Sequence, residues 1–556
     1  LLIIISIMKI KRKIIINAIV ISWFSIIVAG SLMLWRSEKL GAKFLFDTER
    51  ERLTSVRYFK SQQVVKYFKD LADYIVILAN NQTTVSALQG FSKTFPKYLS
   101  EATPLSSGYK SQVINQYLGD FVEKYKYYNI GKTVDVQKIL NLISEEGFSL
   151  QYRYIFDNPY PLSEKDQLNT VEDGSQYSLM HAKYHQAMVE LKQQFGFYDL
   201  FLIDQKGNIV YTVDKEVDFT TSLVNGPYAT SNLSEVFRQV MASDKPRFIA
   251  IADFAPYLAS YDEQAAFIGT AVFDDMGNKL GVLVGQLSVD VLNGIMAYDG
   301  IKLDKTGLGK SVNSIIVGPD YKLRTDNRYF LENKQSFLEA LKNSKTDQNI
   351  IDLIKVKNSC IGILSINTLS VKQAFAGKDG FEDYIDYREI PVMGSFAPLP
   401  IPGLNWVIVT KIDKAEAFYG IKMLKEKILY DGMNIAIFIA IVAVLLGVVT
   451  ASSIVKSIYK ITDELNDIAQ SRDLTKRLLV PKNSEFTVMV NAVNNFIASV
   501  QQAFKNIQDT VVSKLQKPNL EPASIKKDVF DLVDQINDLS KEFKIIEDQN
   551  DRIKYW

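Results

Sequence analysis

Two stretches of the chain are apolar on every face. Ile14–Trp35 and Gly432–Val455 contain no Asp, Glu, Lys or Arg, and at a rise of about 1.5 Å per residue each exceeds the ~30 Å hydrocarbon core of a bilayer. Each is expected to be a transmembrane helix. Lys9, Lys11, Arg12 and Lys13 precede the first, while Lys456 and Lys460 follow the second. Excess Lys and Arg mark the cytoplasmic flank of a span. Residues 1–13 and the chain beyond the second span are therefore expected in the cytoplasm, with 36–431 outside it. The first run is longer than the roughly 7–15 apolar residues of a cleaved signal and lacks a small-x-small cleavage site. Met8, which opens a Met-Lys-Ile-Lys-Arg-Lys start, and Leu1 are both open as the true beginning.

Between the spans the periodicity changes twice. From Ser37 to about Phe95 there is no proline, and apolar residues recur at helical spacing through Leu53, Val56, Phe59, Val64, Tyr67 and Leu71. This predicts a stalk helix. After a helical and loop-rich stretch to about Gln194, the period falls towards two and β-branched and aromatic residues take over. Strands are expected at Phe197–Ile203 and Ile209–Val213 around the turn Asp204-Gln-Lys-Gly-Asn208. More are expected at Arg247–Ala252, Ala265–Phe273 and Leu280–Val289, with a turn at Asp274-Asp-Met-Gly-Asn278. The grammar returns at Ser314–Val317 and Tyr321–Leu323 around Gly318-Pro-Asp320, then at Tyr384–Tyr387, Pro391–Ala397 and Trp406–Ile412. Two successive antiparallel sheets follow, repeating strand order rather than sequence.

These segments carry a resemblance. FYDLFLIDQKGNIVYTVDKEVDF (Phe197–Phe219), GPYATSNL (Gly226–Leu233), DFAPY (Asp253–Tyr257), GVLVGQLSVD (Gly281–Asp290) and GLNWVIVTKID (Gly403–Asp413) resemble the double Cache (dCache) sensors of bacterial chemoreceptors, over about Ser37 to Tyr430. The resemblance implies two stacked PAS-like modules on a long N-terminal helix, distal at about 95–300 and proximal at about 301–415. It places a small-molecule pocket in the distal one.

Beyond the second span, Ile454, Ile458, Ile461, Leu465 and Ile468 step by three and four, the seam of a packed helix. Phe486, Val490, Val493, Ile497, Val500, Phe504, Ile507 and Val511 repeat it after the connector Asp473-Leu-Thr-Lys-Arg-Leu-Leu-Val-Pro481. A plain coiled coil has the same seam. The DLTKRL connector and Glu485 resemble a HAMP relay over 454–511, although Lys456 and Ser457 stand where that family usually has a proline. A third seam, Val529, Leu532, Ile536, Leu539, Phe543, Ile546, Asn550 and Ile553, predicts a coiled-coil tail over 512–556, with Asn550 able to set register. Seams on both sides of the membrane predict a homodimer. The fold class expected is therefore α+β: a stalk helix, two PAS-like antiparallel-sheet modules, two transmembrane helices and a HAMP-type helical coiled coil.

Composition narrows the function. A formal charge of +1 with 23% charged residues gives no large basic surface, so nucleic acid is not an expected partner. Cys360, the single cysteine, cannot close an intrachain disulfide and reads as a small buried residue. No glycine-rich phosphate loop or nucleophile elbow occurs, and the tail beyond Val511 is too short for a kinase, cyclase or phosphatase domain. The tail also lacks the long alanine- and glutamate-rich hairpin through which chemoreceptors engage their kinase. No enzyme activity, metal or cofactor is expected. The only histidines, His181 and His185, sit i, i+4 on a predicted helix; packing, a pocket or pH role, and a shared metal are all open to them. The expected role is a multi-pass sensor of the bacterial inner membrane that binds a small extracytoplasmic ligand and relays a signal to a cytoplasmic partner. The sensory half of a split or truncated enzyme, and a non-sensing structural membrane protein, are the alternatives.

A pocket on such a sheet needs apolar walls and a few convergent polar groups. Tyr198, Tyr211, Asp253, Tyr257 and Phe267 are the candidates, each tyrosine being equally compatible with the core and Asp253 with a strand-end cap. Gln286 completes the set. Amino-acid-sensing members of the resembled family carry an Arg-x-Trp-Tyr segment and, in the later Gly-Val strand, an aspartate. Arg247 and Phe248 bring no tryptophan, and Gln286 stands at the aspartate's place. A neutral amide cannot make the same charge-assisted bond to an ammonium, so ordinary α-amino acids are not expected to be the main ligands.

Overall fold

The computed structural model describes residues 2–298, 307–479, 486–515, 530, 531 and 534. The chain divides into two compact units, Ser37–Leu424 and the pair Leu1–Arg36 with Lys425–Trp556.

In the larger unit, the C-terminal part of helix α1 (Leu2–Ala79) supplies a spine. Its apolar stripe Val64, Phe68, Leu71, Ile75 and Leu78 is buried together with Val85, Leu88 and Phe91 of α2 (Gln82–Thr94). Helix α3 (Gln176–Phe195) begins where the Ser175 hydroxyl accepts the Ser178 N–H, and stops at Gly196, whose φ of 72° a side chain would resist. Strand β1 (Phe197–Asp204) follows at once and turns through Asp204–Asn208 into β2 (Ile209–Thr212). Asp204 Oδ1 takes the Lys206 and Asn208 N–H groups, and Asn208 Nδ2 returns to Asp204 Oδ2 at 2.9 Å. The second Asp-x-x-Gly-Asn turn, Asp274–Asn278, makes the same three bonds. Identical local chemistry thus folds both turns, between β1 and β2 and between β4 and β5.

Helix α4 (Asn232–Ala242) leads to β3 (Ile249–Tyr257), β4 (Glu263–Phe273) and β5 (Lys279–Leu287). The five strands form one antiparallel sheet in the order β2-β1-β5-β4-β3. Because side chains alternate, Leu283 and Leu287 of β5 join the core with α1 and α2, while Val282 and Val284 face Val236, Phe237 and Val240 of α4. Strand β3 begins two residues later than the sequence pattern indicates, because Arg247 holds a left-handed φ of 59°.

After α5 (Val289–Met296), the second module has β6 (Asn313–Val317), α6 (Lys334–Asn343), α7 (Gln348–Lys357), β7 (Gly380–Ile385), β8 (Pro391–Ile401) and β9 (Leu404–Asp413). Its antiparallel sheet runs β6-β9-β8-β7. The expected strand at Tyr321–Leu323 does not form. Tyr321 takes a φ of 61°, and only single bridges, Val317 with Leu323 and Lys322 with Ser365, remain. Left-handed backbone breaks a ladder that alternation alone would extend.

The other unit contains the apolar segments of α1 and of α8 (Tyr419–Ser471), which among the described residues are the two helices long and apolar enough to cross a membrane. They meet at small residues: a Cβ placed on Gly447 would lie 3.6 Å from the Ala18 side chain, and Ala451 one turn on is fully buried. Further along, Ile461 and Ile468 of α8 are buried with Leu478 and with Val490 and Ile497 of α9 (Thr487–Leu515). Asn494 of α9 clamps the connector, bonding Leu478 N–H at 2.8 Å and its carbonyl at 2.9 Å. Glu485 and all of the tail seam Val529, Leu532, Ile536, Leu539, Phe543, Ile546, Asn550 and Ile553 lie outside the described residues.

Candidate functional site

The segment leaving β2 gathers a cluster of charged side chains against the first sheet. Asp199 on β1 is fully buried and accepts the Thr212 hydroxyl together with the N–H groups of Val213 (3.0 Å) and Asp214 (3.1 Å). This fastens the start of Val213-Asp-Lys-Glu-Val-Asp218 beside the sheet. Lys215 then adopts a φ of 56° and turns inward, where Nζ donates to the Thr212 carbonyl at 2.9 Å and stands 4.8 Å from the Tyr211 ring centre. Burial lowers its pKa to about 7, against the opposing pull of Asp199. Asp214 pairs with Lys192 of α3, which also reaches Asp166 at 3.6 Å.

Glu216 and Asp218 complete the run. Glu216 accepts the Ser260 hydroxyl at 2.5 Å, and Tyr198 Oη approaches at 3.4 Å. Asp218 Oδ2 accepts from Tyr257. Burial raises both carboxyls above the ordinary carboxylate range, and for Glu216 the negative charge of Asp218 adds to the effect. A groove of about 680 Å³ opens over this floor, walled by Tyr128, Tyr198 and Tyr261 and carrying Asp214, Glu216 and Glu263. A smaller cavity of about 260 Å³ shares Lys124, Lys165 and Tyr261 with it and reaches Val217, the residue between the two carboxylates.

The six residues expected from sequence fall into four places. Tyr198, 46% exposed, lies on the groove wall. Tyr257, Phe267 and Gln286 lie behind it: Phe267 stands edge-on to Tyr257 at 5.1 Å, and Gln286 is opposite Asp199 on one side and Phe267 on the other. Tyr211 points to the opposite face of the sheet, stacked on Phe91 at 4.8 Å and bonded to His185 Nδ1 at 2.7 Å. Asp253 belongs to the junction with the second module, where Arg324 grips it through Nε (2.8 Å) and Nη2 (2.9 Å) and Trp406 Nε1 donates at 2.9 Å. Sequence reasoning missed Asp199, Lys215, Glu216 and Asp218. The alternating-charge run immediately after a strand was the available signal, and it reads equally as a solvated turn.

His181 and His185 stack at 4.4 Å within α3. His185 Nε2 reaches the Asp166 carbonyl at 2.6 Å, and His181 Nδ1 the Asn169 carbonyl at 2.5 Å. Among the described residues no three His, Cys, Asp or Glu side chains converge as metal ligands would. Cys360 is fully buried.

No family model matches the chain. A stretch of 122 residues, 21% of the chain, is 30% identical to the methyl-accepting chemotaxis protein PctB of Pseudomonas aeruginosa, and the match spans only 18% of that relative's length. Among solved structures, the periplasmic sensory domain of the Campylobacter jejuni chemoreceptor Tlp1 aligns over 67% of this chain and 98% of that one, at 14% identity and a TM-score of 0.30. The ligand-binding domain of PctB in complex with L-Arg covers 56% of this chain and 92% of its own, at 14% identity and a TM-score of 0.27. That of the Pseudomonas fluorescens chemoreceptor CtaA in complex with L-leucine covers 55% and 97%, at 15% identity and a TM-score of 0.24.

Proposed function

We propose that this protein is a sensor of the bacterial inner membrane, anchored by Ile14–Trp35 and Gly432–Val455, that binds a small molecule outside the cytoplasm and relays its occupancy inward. The observation that carries this reading is the charged, aromatic-walled groove in a unit bracketed by two apolar helices. Its similarity to part of a chemotaxis receptor supports it. Residues 454–511 act as a HAMP-type relay in a homodimer, and the tail addresses a separate cytoplasmic partner. The protein has no catalytic role of its own in this scheme.

The mechanism is a bias between two arrangements. A ligand shifts such an equilibrium only by its difference in affinity for the two states. The last strand, β9, runs through Lys414–Ala417 into α8, so a displacement of about 1–2 Å, typical of helix shifts in such switches, can reach the second span. The test uses the full chain in lipid nanodiscs with single cysteines at Leu445 or Val449, both exposed on α8. A panel of amines, amino acids, dicarboxylates and sugars is screened by thermal shift. At least one member is expected to raise the melting temperature by several degrees and to change disulfide yield between copies. Stabilisation with crosslinking unchanged at every position sinks the relay.

A further inference from the structure

The turn from β3 into β4 contains two residues in a conformation that side chains resist. Tyr261 and Asp262 hold φ values of 57° and 58° in succession, and a bulky residue in the left-handed region persists only where its surroundings over-determine it. Here both modules do so. Within the first, the Tyr261 ring lies 5.1 Å from that of Phe121 and 5.8 Å from that of Tyr128. The Tyr125 hydroxyl, on the helix Val122–Tyr128, donates to Asp262 Oδ2 at 2.7 Å. From the second module, Lys357 at the end of α7 donates to the carbonyls of Tyr261 and Asp262, each at 2.9 Å.

The same turn borders two spaces. Tyr261 walls the groove, and Ser260 before it donates to Glu216 on the groove floor. Glu263 after it lines both that groove and a cavity of about 290 Å³ between the modules, which Lys357 lines as well. A second contact is independent of hydrogen bonding: Gly362, at a φ of 65°, lies so close to β4 that a Cβ there would collide with the Gln264 side chain. Between these two grips, Ser359 Oγ and the Cys360 N–H both donate to Asp326 Oδ1, and the Gly362 N–H donates to the Leu323 carbonyl. The Arg324 N–H donates in turn to the Ile316 carbonyl of β6, the strand paired with β9. The segment 357–362 therefore holds the groove's turn on one side and the approach to the second sheet on the other.

We infer that Tyr261–Glu263 is the element that passes the state of the groove to the second module, with Lys357 as its clamp. The two states differ in the backbone of the turn. In one, both carbonyls accept from Lys357 and the Tyr261 ring is packed in the wall. In the other, a molecule in the groove has displaced that ring, the left-handed pair relaxes to the ordinary φ range, and the carbonyls swing off Lys357 and free 357–362. A ligand drives this change only by its preference for the second state. Lys357 is a positioning residue, acting through the turn. The inference rests on the sensor reading and adds the route by which one module reports to the other.

The test puts an occupant in the groove without knowing the ligand. Tyr198 and Ser260 share Glu216, so N-ethylmaleimide attached to Tyr198→Cys, in the full chain in nanodiscs, sits beside the turn, while Cys360, 0% exposed, stays unreacted. Hydrogen exchange followed by mass spectrometry reads the amides of 357–364. The adduct speeds their exchange about threefold or more and leaves those of α6 unchanged. Adding Lys357→Met gives the fast rate with or without the adduct, whereas Lys357→Arg, which keeps charged donors, retains the response. Tyr261→Asn tolerates the left-handed conformation without supplying a ring, and gives the slow rate with or without the adduct. Exchange at 357–364 unmoved by the adduct, or moved equally in the presence and absence of Lys357→Met, overturns the inference. The sensor reading fails by a different result, crosslinking at Leu445 and Val449 that no member of the ligand panel changes.

Discussion

Asp253 shows how far a residue's type can be read without its neighbours. An aspartate three positions before a Pro-Tyr pair fits a pocket or a strand cap equally, and nothing local announces an arginine 71 residues later or a tryptophan 153 residues later. In the structure it is a tie between modules. Arg324, whose side chain is 3% exposed, reaches it from the second module, and Trp406 brings β9, its ring 5.3 Å from Phe68 on α1. Removing one partner of a buried pair strands the other, at a cost of about 3–5 kcal/mol, whereas replacing both with apolar groups costs far less. Asp253 is partly exposed and Arg324 keeps Asp320 at 2.9 Å, so Asp253→Ala is expected to cost about 2–3 kcal/mol. The double variant Asp253→Leu with Arg324→Met is expected to be more stable than Asp253→Ala. Thermal denaturation in a double-mutant cycle checks both; a double variant at the sum of the singles would show that the two residues do not cooperate. The groove was half legible for the same reason: Tyr198 announced itself as an aromatic on a strand, while Glu216 and Asp218 acquire meaning only through burial that a local pattern cannot encode.

Elements were more legible than residues, because periodicity reports which face is buried. The nine strands among the described residues lie near the positions that alternation picks out, although β7 (Gly380–Ile385) starts four residues before the expected Tyr384–Tyr387, and the strand expected at Tyr321–Leu323 was lost to a backbone conformation that hydrophobicity does not record. What periodicity cannot supply is strand order: β1 pairs with β5 as well as β2, a neighbour 77 or more residues away by the register Asp204 to Gly281. Helix α3 carries a pH dependence of its own. His185 in its neutral form satisfies both ring nitrogens, one taking the Tyr211 hydroxyl proton and the other donating to the Asp166 carbonyl. Burial first, and then the charges of Lys215 and Lys192, lower its pKa to about 3; His181 is lowered by burial, Lys215 and His185. With folded values below the unfolded ~6.5, the native state binds fewer protons, so this stability is complete above about pH 6.5 and is lost as pH falls towards about 3. Buried Asp199 and Asp214 act with the opposite sign, their raised values making stability fall as pH rises. The comparison with a variant isolates the histidine. His185→Gln, which keeps one acceptor and one donor, should gain about 2 kcal/mol relative to wild type between pH 7 and pH 5. Denaturation midpoints at pH 5, 6 and 7 measure this, and parallel curves for the two proteins would remove the histidine from the account.

At the scale of the whole molecule, the proposed membrane plan rests on charge-free runs and Lys/Arg flanks, because a bilayer imposes a threshold of length and polarity that such runs meet. They do not give the ends of the helices. The apolar segments continue into Leu2–Ala79 and Tyr419–Ser471, since neither run is followed by a proline or a glycine cap that would stop the helix. Everything proposed for function requires the groove and the Ile461–Ile497 cluster to lie in different compartments, and that requirement can be examined without knowing any ligand. Met276, at the tip of the β4–β5 turn, is 90% exposed, Ala498 is exposed on α9, and the native Cys360 is 0% exposed and so gives little background. In cells stripped of their outer envelope, a membrane-impermeant maleimide is expected to label Met276→Cys at once. Ala498→Cys should react only after the membrane is opened with detergent. Labelling of both before permeabilisation would place sheet and seam in one compartment, and a ligand on the sheet would then have no bilayer across which to signal.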